Sequence, residues 1–424
     1  MKTIIELLKE NSLVTEYKIN IHHKESCELF FVKGKLETVR RTDTCDKEVT
    51  VYNRHDGYMG DAQFFVYPST TKEQLRERIA DAVKKAQLIN NTDYQLPAGE
   101  KASYTVDSNF TGRELFQLAT AVAEAVFAAD GADGTALNSV EVFVEKHLEQ
   151  VSNSRELDKT QVRYSAMVET IPTYNGQSQS VELYHQYNFG QLDAAAITAE
   201  VKQKLQEVKD RYSASTPEQF VPCKVVINPL ELAELLYTVT QNLTYGSVYS
   251  HANLFKKGDA IQKNPTGDLL SITMAGQVPG SVRSSKIDSD GMTLDSIRIV
   301  DQGVAVNYYG SNRLGQYLGE IPTGSMRCMQ VSPGTAKRSE LEDTAYLEIV
   351  SMSGLQVDAY NDYIGGEVRL AYYHDGKAVK PVTGISVSGK LSQVLSSIRL
   401  WEDCVVYNGY YGPEKAILSD MSIY

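Results

Sequence analysis

The side chains best suited to bind a metal in this sequence are its seven histidines, and their spacing gives no ligand set. His22 and His23 are adjacent on a predicted strand, so their side chains point to opposite faces of the sheet. His251 and His374 have no acidic or histidine neighbour at the spacing that zinc sites use. The other three are typical of a turn and of ordinary strands. We therefore expect the histidines to be structural.

The sequence also lacks the short motifs that carry catalytic chemistry. It contains no G-x-G-x-x-G, no P-loop, no G-x-S-x-G and no H-E-x-x-H. The stretch DSDGMTLD at 288–295 is similar to a calcium loop, but the twelfth position counted from Asp288 is Ile299, where an EF-hand requires a glutamate. We predict no catalytic residue, no metal ligand and no cofactor for this chain.

Charge and composition narrow the class of partner. The 424-residue chain has a net charge of −12, from 54 acidic and 42 basic residues, whereas a protein that binds duplex nucleic acid needs a basic face. No apolar run is long enough to span a bilayer. Five scattered cysteines without a C-x-x-C pair indicate reduced thiols. We therefore expect a cytoplasmic protein that contacts neither nucleic acid nor membrane directly.

The first half of the chain begins with a unit that is rich in predicted strands. Residues 28–66 predict three strands, with turn signals at Gly34 and at Asp56-Gly57. Thr70 or Thr71 can then cap a helix. The apolar residues of that helix form one stripe, which consists of Leu75, Ile79, Ala82, Val83 and Ala86.

The same order of elements recurs later in the sequence. VFVEKHLEQV at 142–151 aligns without a gap on FFVKGKLETV at 30–39, an offset of 112 residues that pairs Leu36 with Leu148. The second unit continues with strands at 161–171 and 180–189 and a helix over 193–212. This predicts two copies of a β-β-β-α unit, each with its helix on one sheet face, over about 28–90 and 140–212.

The second half of the chain has a different pattern. A segment with two prolines at 214–224 marks a break, after which KVVIN predicts a strand and Pro229 begins a helix. Glycine-punctuated β segments dominate the rest. The predicted fold class is therefore α+β, with a duplicated domain over 1–215 and a β-rich, barrel-like domain over 216–424, which we expect to be a distorted antiparallel barrel.

Several segments in a fixed order carry a family resemblance that covers nearly the whole chain. They are FVKGKLETVRRTDTCDKEVTVYNRHDGYMGDA (31–62), KVVINPLELAELL (224–236), SSKIDSDGMTLDSIRIVDQGVAVNYYGS, PTGSMR (322–327), VSPGTA (331–336), MSGLQV (352–357) and ISVSGKLSQVL (385–395). In this order they resemble the TldD/PmbA family of bacterial proteins, whose older name is modulator of DNA gyrase. The resemblance implies a β-rich C-terminal domain of metallopeptidase type and a protein that works in pairs.

The resemblance implies a zinc site in one subunit type only. The resemblance implies that the TldD-like subunit is a zinc peptidase that acts on unfolded peptides. Its zinc site consists of an H-E-x-x-x-H motif, on the helix that follows the first strand of the second domain, and a cysteine near the C-terminus. Here that helix reads YTVTQN, which places Tyr237 and Asn242 at the histidine positions and Thr238 at the glutamate position. Tyr411 aligns with the cysteine. The chain thus resembles the PmbA side, which lacks the zinc motif.

Three functional hypotheses follow. The first is a non-catalytic subunit of a TldD/PmbA-type metallopeptidase complex, paired with a zinc-bearing TldD-like subunit or with itself, that helps hold an extended unfolded peptide by strand addition. The second is a stand-alone homodimeric peptide-binding or scaffold protein. The third is a peptidase with an unrecognised ligand set, which would include His251 or His374. The substrate-binding residues that the resemblance suggests are Asp290, Gly291, Thr323, Gly324 and Arg327.

Overall fold

The computed structural model describes residues 1–131, 133–217, 223–342 and 344–424. Its fold class is mixed α+β, as the sequence predicts, and it contains a half-barrel, curled sheet. Among the described helices, none combines the length and the apolar composition that a bilayer crossing needs.

Within the described residues, the first half of the chain forms an eight-stranded sheet, called here the N-terminal sheet, with helices on one face. Its elements are α1 (Lys2–Glu10), β1 (Glu16–Val32), β2 (Lys35–His55), β3 (Tyr58–Val66), α2 (Lys72–Ala86), β4 (Lys101–Thr105), α3 (Leu115–Phe127), β5 (Thr135–Asn153), β6 (Asp158–Asn175), β7 (Ser180–Glu182), β8 (His185–Phe189) and α4 (Ala194–Ser213). The strand order is β3-β2-β1-β5-β6-β4, and β7 and β8 also pair with β6.

Local sequence explains the hairpins and the helix starts. Lys33-Gly34 and Asp56-Gly57 all have positive φ, as two-residue hairpin turns require, and they join β1 to β2 and β2 to β3. Thr71 caps α2 through a capping box with Gln74, and the predicted apolar stripe of α2 is buried. It packs against β1 and β2 together with α1.

The duplication is present in the order of elements, but its predicted register is wrong. The series α1-β1-β2-β3-α2 recurs as α3-β5-β6-β8-α4, and the two series meet where β1 pairs antiparallel with β5. Leu36 lies at the start of β2, whereas Leu148 lies inside β5, the counterpart of β1. The 112-residue alignment therefore crosses a hairpin turn in one copy and stays within a strand in the other. Alternating β-branched residues look alike in any strand, so a ten-residue match does not fix the register.

The second half of the chain is built mainly from short strands. Its described elements are β9 (Lys224–Ile227), α5 (Pro229–Gln241), α6 (Tyr245–Tyr249), β10 (Ile272–Ala275), β11 (Ser296–Asp301), β12 (Val304–Ala305), α7 (Asn312–Tyr317), β13 (Cys328–Val331), a 3-10 turn (Arg338–Leu341), β14 (Ala345–Met352), β15 (Gln356–Asp358), β16 (Tyr363–Asp375), β17 (Val379–Val382), β18 (Ile385–Gly389), α8 (Leu391–Ser397), β19 (Arg399–Leu400), β20 (Cys404–Tyr407), β21 (Tyr410–Pro413), β22 (Ala416–Leu418) and β23 (Met421–Ile423).

These strands form a six-stranded sheet, β12-β11-β10-β13-β21-β20, and a nine-stranded sheet along β19-β22-β9-β14-β16-β18-β23 in the described part of the chain. One apolar core lies between the two sheets and includes the buried side of α5. Most of these strands pair antiparallel, as the expected distorted antiparallel barrel requires, but β13 pairs parallel with β21 and β14 pairs parallel with β9. Of the proline-containing segment predicted as a domain break, residues 218–222 lie outside the described residues.

Candidate functional site

A cavity of about 470 Å³ lies between the N-terminal sheet and the C-terminal half of the chain. One side is formed by β1, β2, β3, β5 and β6. The other side is formed by residues 282–285 and 287–289 with Leu294, Ser325 and Arg327. Its volume lies in the range of small-ligand sites, and such sites occur preferentially where two domains meet. We call this cavity the cleft.

The floor of the cleft is the sheet face that the helices leave uncovered. Successive strand residues point to opposite faces, and Ile19, Val49 and Val51 point towards α1 and α2. The intervening polar residues therefore point into the cleft. Antiparallel pairing places them in two rows, Asp46-His22-Glu149-Gln161 and Glu48-Asn20, and the apolar Val151 continues the second row.

Gln161 of β6 joins this floor to the opposite wall. Its side chain is only 1% exposed, and its Oε1 accepts hydrogen bonds from the backbone N–H groups of Lys286 at 2.8 Å and Ile287 at 3.2 Å. Its Nε2 donates to Ser285 Oγ at 2.8 Å and to Glu149 Oε2 at 2.5 Å. A buried amide needs all of these partners, because an unsatisfied buried donor or acceptor costs about 1–3 kcal/mol. Gln161 therefore fixes the position of the wall.

Residues 284–294, here named the clasp, make further contacts with the N-terminal sheet. Lys18 Nζ lies 2.5 Å from Asp290 Oδ1 in an ion pair. A Cβ on Gly291, which has φ +80°, would lie 2.6 Å from Leu157 Cδ2, so only glycine allows this close approach. Lys159 Nζ donates to Thr293 Oγ1 at 2.8 Å. Asp290 and Gly291, which the sequence suggested as substrate-binding residues, thus hold the two halves of the chain together.

Asp288 connects the clasp to the segment that carries Arg327. Its Oδ1 accepts from the N–H groups of Asp290 and Met292 at 2.9 and 3.0 Å, and its Oδ2 accepts from the N–H of Ser325 at 2.9 Å. Burial, together with the charge of Asp290, raises the pKa of the Asp288 carboxyl. This carboxyl is thus used inside the wall and is not available to a ligand.

The remaining suggested residues divide between wall and cleft. Thr323 Oγ1 accepts from the N–H of Gly310 at 3.0 Å. Gly324 has φ +81°, and a Cβ there would overlap Leu294, so both residues shape a turn behind the clasp. Arg327 lines the cleft and is exposed. Of the five suggested residues, Arg327 is the one whose side chain faces the cleft, and its role in substrate binding stays a prediction.

A pair of histidines lies at the edge of the cleft. His22 Nε2 and His147 Nδ1 are 3.0 Å apart, and His147 Nε2 lies 3.2 Å from Glu145 Oε2. Burial and the nearby His147 lower the pKa of His22. The hydrogen bond from His147, helped by Lys24, lowers the pKa of Glu145 to about 2. The pair is therefore a hydrogen-bonded connection between β1 and β5.

The four positions at which the family resemblance expects zinc-site residues do not form a metal site. Tyr237 is half exposed near the end of α5, and Thr238 Oγ1 donates to the carbonyl of Glu234 at 3.3 Å. Asn242 uses both ends of its amide, since Oδ1 accepts from the N–H of Leu254 and Nδ2 donates to the carbonyl of Thr238, each at 2.9 Å. Tyr411 is half exposed on β21. These side chains provide neither imidazole, thiolate nor carboxylate, so they do not fit zinc.

The two histidines of the alternative peptidase hypothesis have different surroundings. His374 of β16 stacks on Tyr346, with ring centroids 3.9 Å apart, and its Nε2 lies 3.4 Å from Glu348 Oε2. His251 is exposed and follows α6 with φ +57°. Within the described ranges, no group of three or more His, Cys, Asp or Glu side chains is arranged to hold a metal ion.

Sequence reasoning missed two residues that define the cleft. Gln161 is a single glutamine in a strand of ordinary composition, and nothing around it signals a long-range role. Arg283 lines the cleft and lies one residue before the segment SSKIDSDGMTLD that contributed to the family resemblance. This position next to the segment is the one sequence feature that could have indicated a role for Arg283, and it applies equally to the neighbouring residues.

Replacing Gln161 should separate the clasp from the sheet. We expect Gln161→Leu to lower the free energy of unfolding by about 2–5 kcal/mol, because the N–H groups of Lys286 and Ile287 lose their acceptor at about 1–3 kcal/mol each. Urea unfolding measures the loss, and amide hydrogen exchange should show faster exchange at residues 285–287. Gln186→Leu, on an exposed face of β8, is the control and should change neither quantity. Equal effects of both substitutions would contradict this role of Gln161.

Comparison with known proteins finds a matching family model and solved structures with the same fold. Residues 221–424 match the family model described as PmbA/TldA metallopeptidase C-terminal domain. No curated protein matches the sequence. TldE from Thermococcus kodakarensis is similar over 100% of this chain and 99% of its own, with a TM-score of 0.81 and 14% identity.

Two further structures share the fold. A proposed modulator of a DNA gyrase from Thermotoga maritima has a TM-score of 0.79 and 15% identity, and covers 100% of this chain and 99% of its own. A similarly described protein from Bacteroides thetaiotaomicron has a TM-score of 0.79 and 12% identity, over 100% of this chain and 97% of its own. The C-terminal part of the chain therefore matches the PmbA/TldA metallopeptidase C-terminal domain, and the whole length of the chain has the fold seen in TldE.

Proposed function

We propose that this chain is the non-catalytic subunit of a TldD/PmbA-type metallopeptidase complex that acts on unfolded peptides. The observation that carries the proposal is the set of side chains at the zinc-site positions. A zinc peptidase needs neutral imidazole or thiolate ligands, an open position for water and a carboxylate base. Tyr237, Thr238 and Tyr411 offer hydroxyl groups, and the amide of Asn242 is already occupied by the backbone. Peptide hydrolysis must then come from a partner.

The cleft supports a role in holding the peptide. Its floor consists of two rows of mainly polar side chains on the N-terminal sheet, and its far wall is fixed by Gln161 and Asp288. Phe65 of β3 lines the same cleft, and β3 is the edge strand of the N-terminal sheet. An unpaired edge accepts an extended peptide through main-chain hydrogen bonds. Strand addition beside β3 is therefore the mode of binding that we propose.

A surface near the end of α5 supports the proposed pairing with a second subunit. The side chains concerned are large, apolar or aromatic and exposed, and we call them the tyrosine-rich patch: Tyr237, Tyr249, Leu254, Ile321 and Tyr360. Groups of exposed apolar and aromatic side chains mark protein interfaces when they form a large surface.

Hydrogen bonds hold the segments of the patch in place. Asn242, which ends α5, accepts from the N–H of Leu254 at 2.9 Å. The Tyr360 hydroxyl donates to a carbonyl two residues before Leu254. The buried Tyr245 hydroxyl donates to the Ile321 carbonyl at 2.7 Å. The patch includes Tyr237, one of the degenerate zinc-site positions, so a partner bound there would lie beside the position of the family's active site.

The proposal predicts that the purified chain neither holds stoichiometric zinc nor cleaves an unfolded peptide. Cleavage should begin when a relative that carries H-E-x-x-x-H is added. Metal analysis and cleavage of an unstructured, fluorescently labelled peptide measure both properties, and the relative alone is the control for added activity. One zinc per chain, with chelator-sensitive cleavage by this chain alone, would show that the peptidase with another ligand set is the correct hypothesis.

The tyrosine-rich patch predicts an oligomeric state. The chain should sediment as a dimer at micromolar concentration, alone or with the zinc-bearing relative. The interface should bury roughly 1,200–2,000 Å² or more, as stable protein interfaces do. Ile321→Glu should shift the equilibrium towards monomer, because Ile321 is 85% exposed in the patch. Leu88→Glu is the matched control, since Leu88 is 81% exposed but lies in the N-terminal half. A monomer before mutation, with no shift on adding the relative, would reject the proposed pairing.

A further inference from the structure

Four charged side chains that line the cleft have no ion-pair or hydrogen-bond partner within the described part of the chain. Two are acidic, Asp46 and Glu48, and both belong to β2. Two are basic, Arg283 and Arg327, and both belong to the C-terminal half. The unpaired charges therefore have one sign on the floor and the opposite sign on the wall across the cleft.

The other charged groups in the cleft are already compensated. Arg163 and Glu149 form an ion pair at 2.9 Å on the floor. Asp288 accepts three backbone N–H groups. The four unpaired charges differ from these groups, because they keep their hydrogen-bonding capacity free for a ligand.

We infer that the cleft binds a short peptide by its two charged termini. The α-carboxylate is bound by Arg283 and Arg327, whose planar guanidinium groups form paired hydrogen bonds with a carboxylate. The α-ammonium group is bound by Asp46 and Glu48 across the cleft. Capture of free termini is an established mode of peptide recognition. This inference rests on the proposed function and narrows its substrate class to short peptides with both ends free.

The size of the cleft agrees with such a ligand. Cavities of about 300–1,000 Å³ hold ligands of drug-like size, which corresponds to a peptide of roughly three residues. The cavity of about 470 Å³ lies in that range. Asp46 is exposed and Glu48 half-buried, while both arginines are exposed, so each group is open to an entering ligand.

Calorimetric titration with the tripeptide Ala-Phe-Ala tests the inference. The peptide is used with free termini, N-acetylated, C-amidated, and blocked at both ends. Each block should weaken binding about 10–100-fold, because it removes charge-assisted hydrogen bonds of about 1.5–3 kcal/mol. In the double variant Arg283→Gln/Arg327→Gln, amidation should no longer matter while acetylation still weakens binding. In the double variant Asp46→Asn/Glu48→Gln, acetylation should no longer matter while amidation still weakens binding.

Controls separate recognition from misfolding and from general charge. Arg113→Gln and Glu6→Gln remove exposed charges outside the cleft and should leave every affinity unchanged. Urea midpoints of all variants, compared with that of the unmodified chain, check that each is folded. The affinities should also weaken with added salt, since exposed charges are screened.

Three results would overturn the inference. The first is equal affinity for the free and the doubly blocked tripeptide. The second is equally tight binding of a doubly blocked peptide that carries an aspartate, which would assign the arginines to side-chain carboxylates. The third is the absence of binding by any of these peptides. Cleavage by the chain with a zinc-bearing relative tests the proposed function separately, because that assay depends on the partner and not on the termini of the peptide.

Discussion

The side-chain amide of Gln161 lies in the interface between the two halves of the chain and is satisfied only when they are in contact. Its oxygen accepts from two consecutive backbone N–H groups of the clasp, and its nitrogen donates back to the clasp and to Glu149 of the sheet. Because an unpaired buried amide is costly, the clasp has one favourable position on the sheet. The ion pair of Lys18 with Asp290 and the close approach of Gly291 to Leu157 add to the same contact.

The cleft and its charges follow from that contact. The clasp places Arg283 and Arg327 opposite the polar floor of the N-terminal sheet, and Asp288 joins the segments that carry them. The positions at which the sequence resemblance expects zinc-site residues lie elsewhere, at the end of α5, where Asn242 is engaged by backbone groups. In the proposed function, the fold keeps a binding surface while the residues at the zinc-site positions differ. The proposed function therefore assigns peptide binding to this chain and peptide hydrolysis to its partner.

Local elements could be predicted from the sequence because their causes are local. The hairpin at Asp56-Gly57 and the cap at Thr71 depend on a few adjacent residues, and the structure has both. The 112-residue register was wrong and the parallel pairing of β14 with β9 was not anticipated, because strand register and strand direction depend on partners far away in sequence. In the candidate site, too, local features could be predicted and long-range contacts could not. Asp290 was recognised by its motif, but its partner Lys18 and the role of Gln161 arise only when the chain folds.

Peptide binding in the absence of metal tests the central claim most directly. The purified chain would be titrated with a short unfolded peptide that has free termini, in a chelating buffer and again with zinc present. If the chain holds peptides by its own cleft and leaves hydrolysis to a partner, the two dissociation constants should agree within about twofold, and the peptide should be recovered intact. Binding that requires zinc, or loss of intact peptide during the zinc titration, would contradict the account.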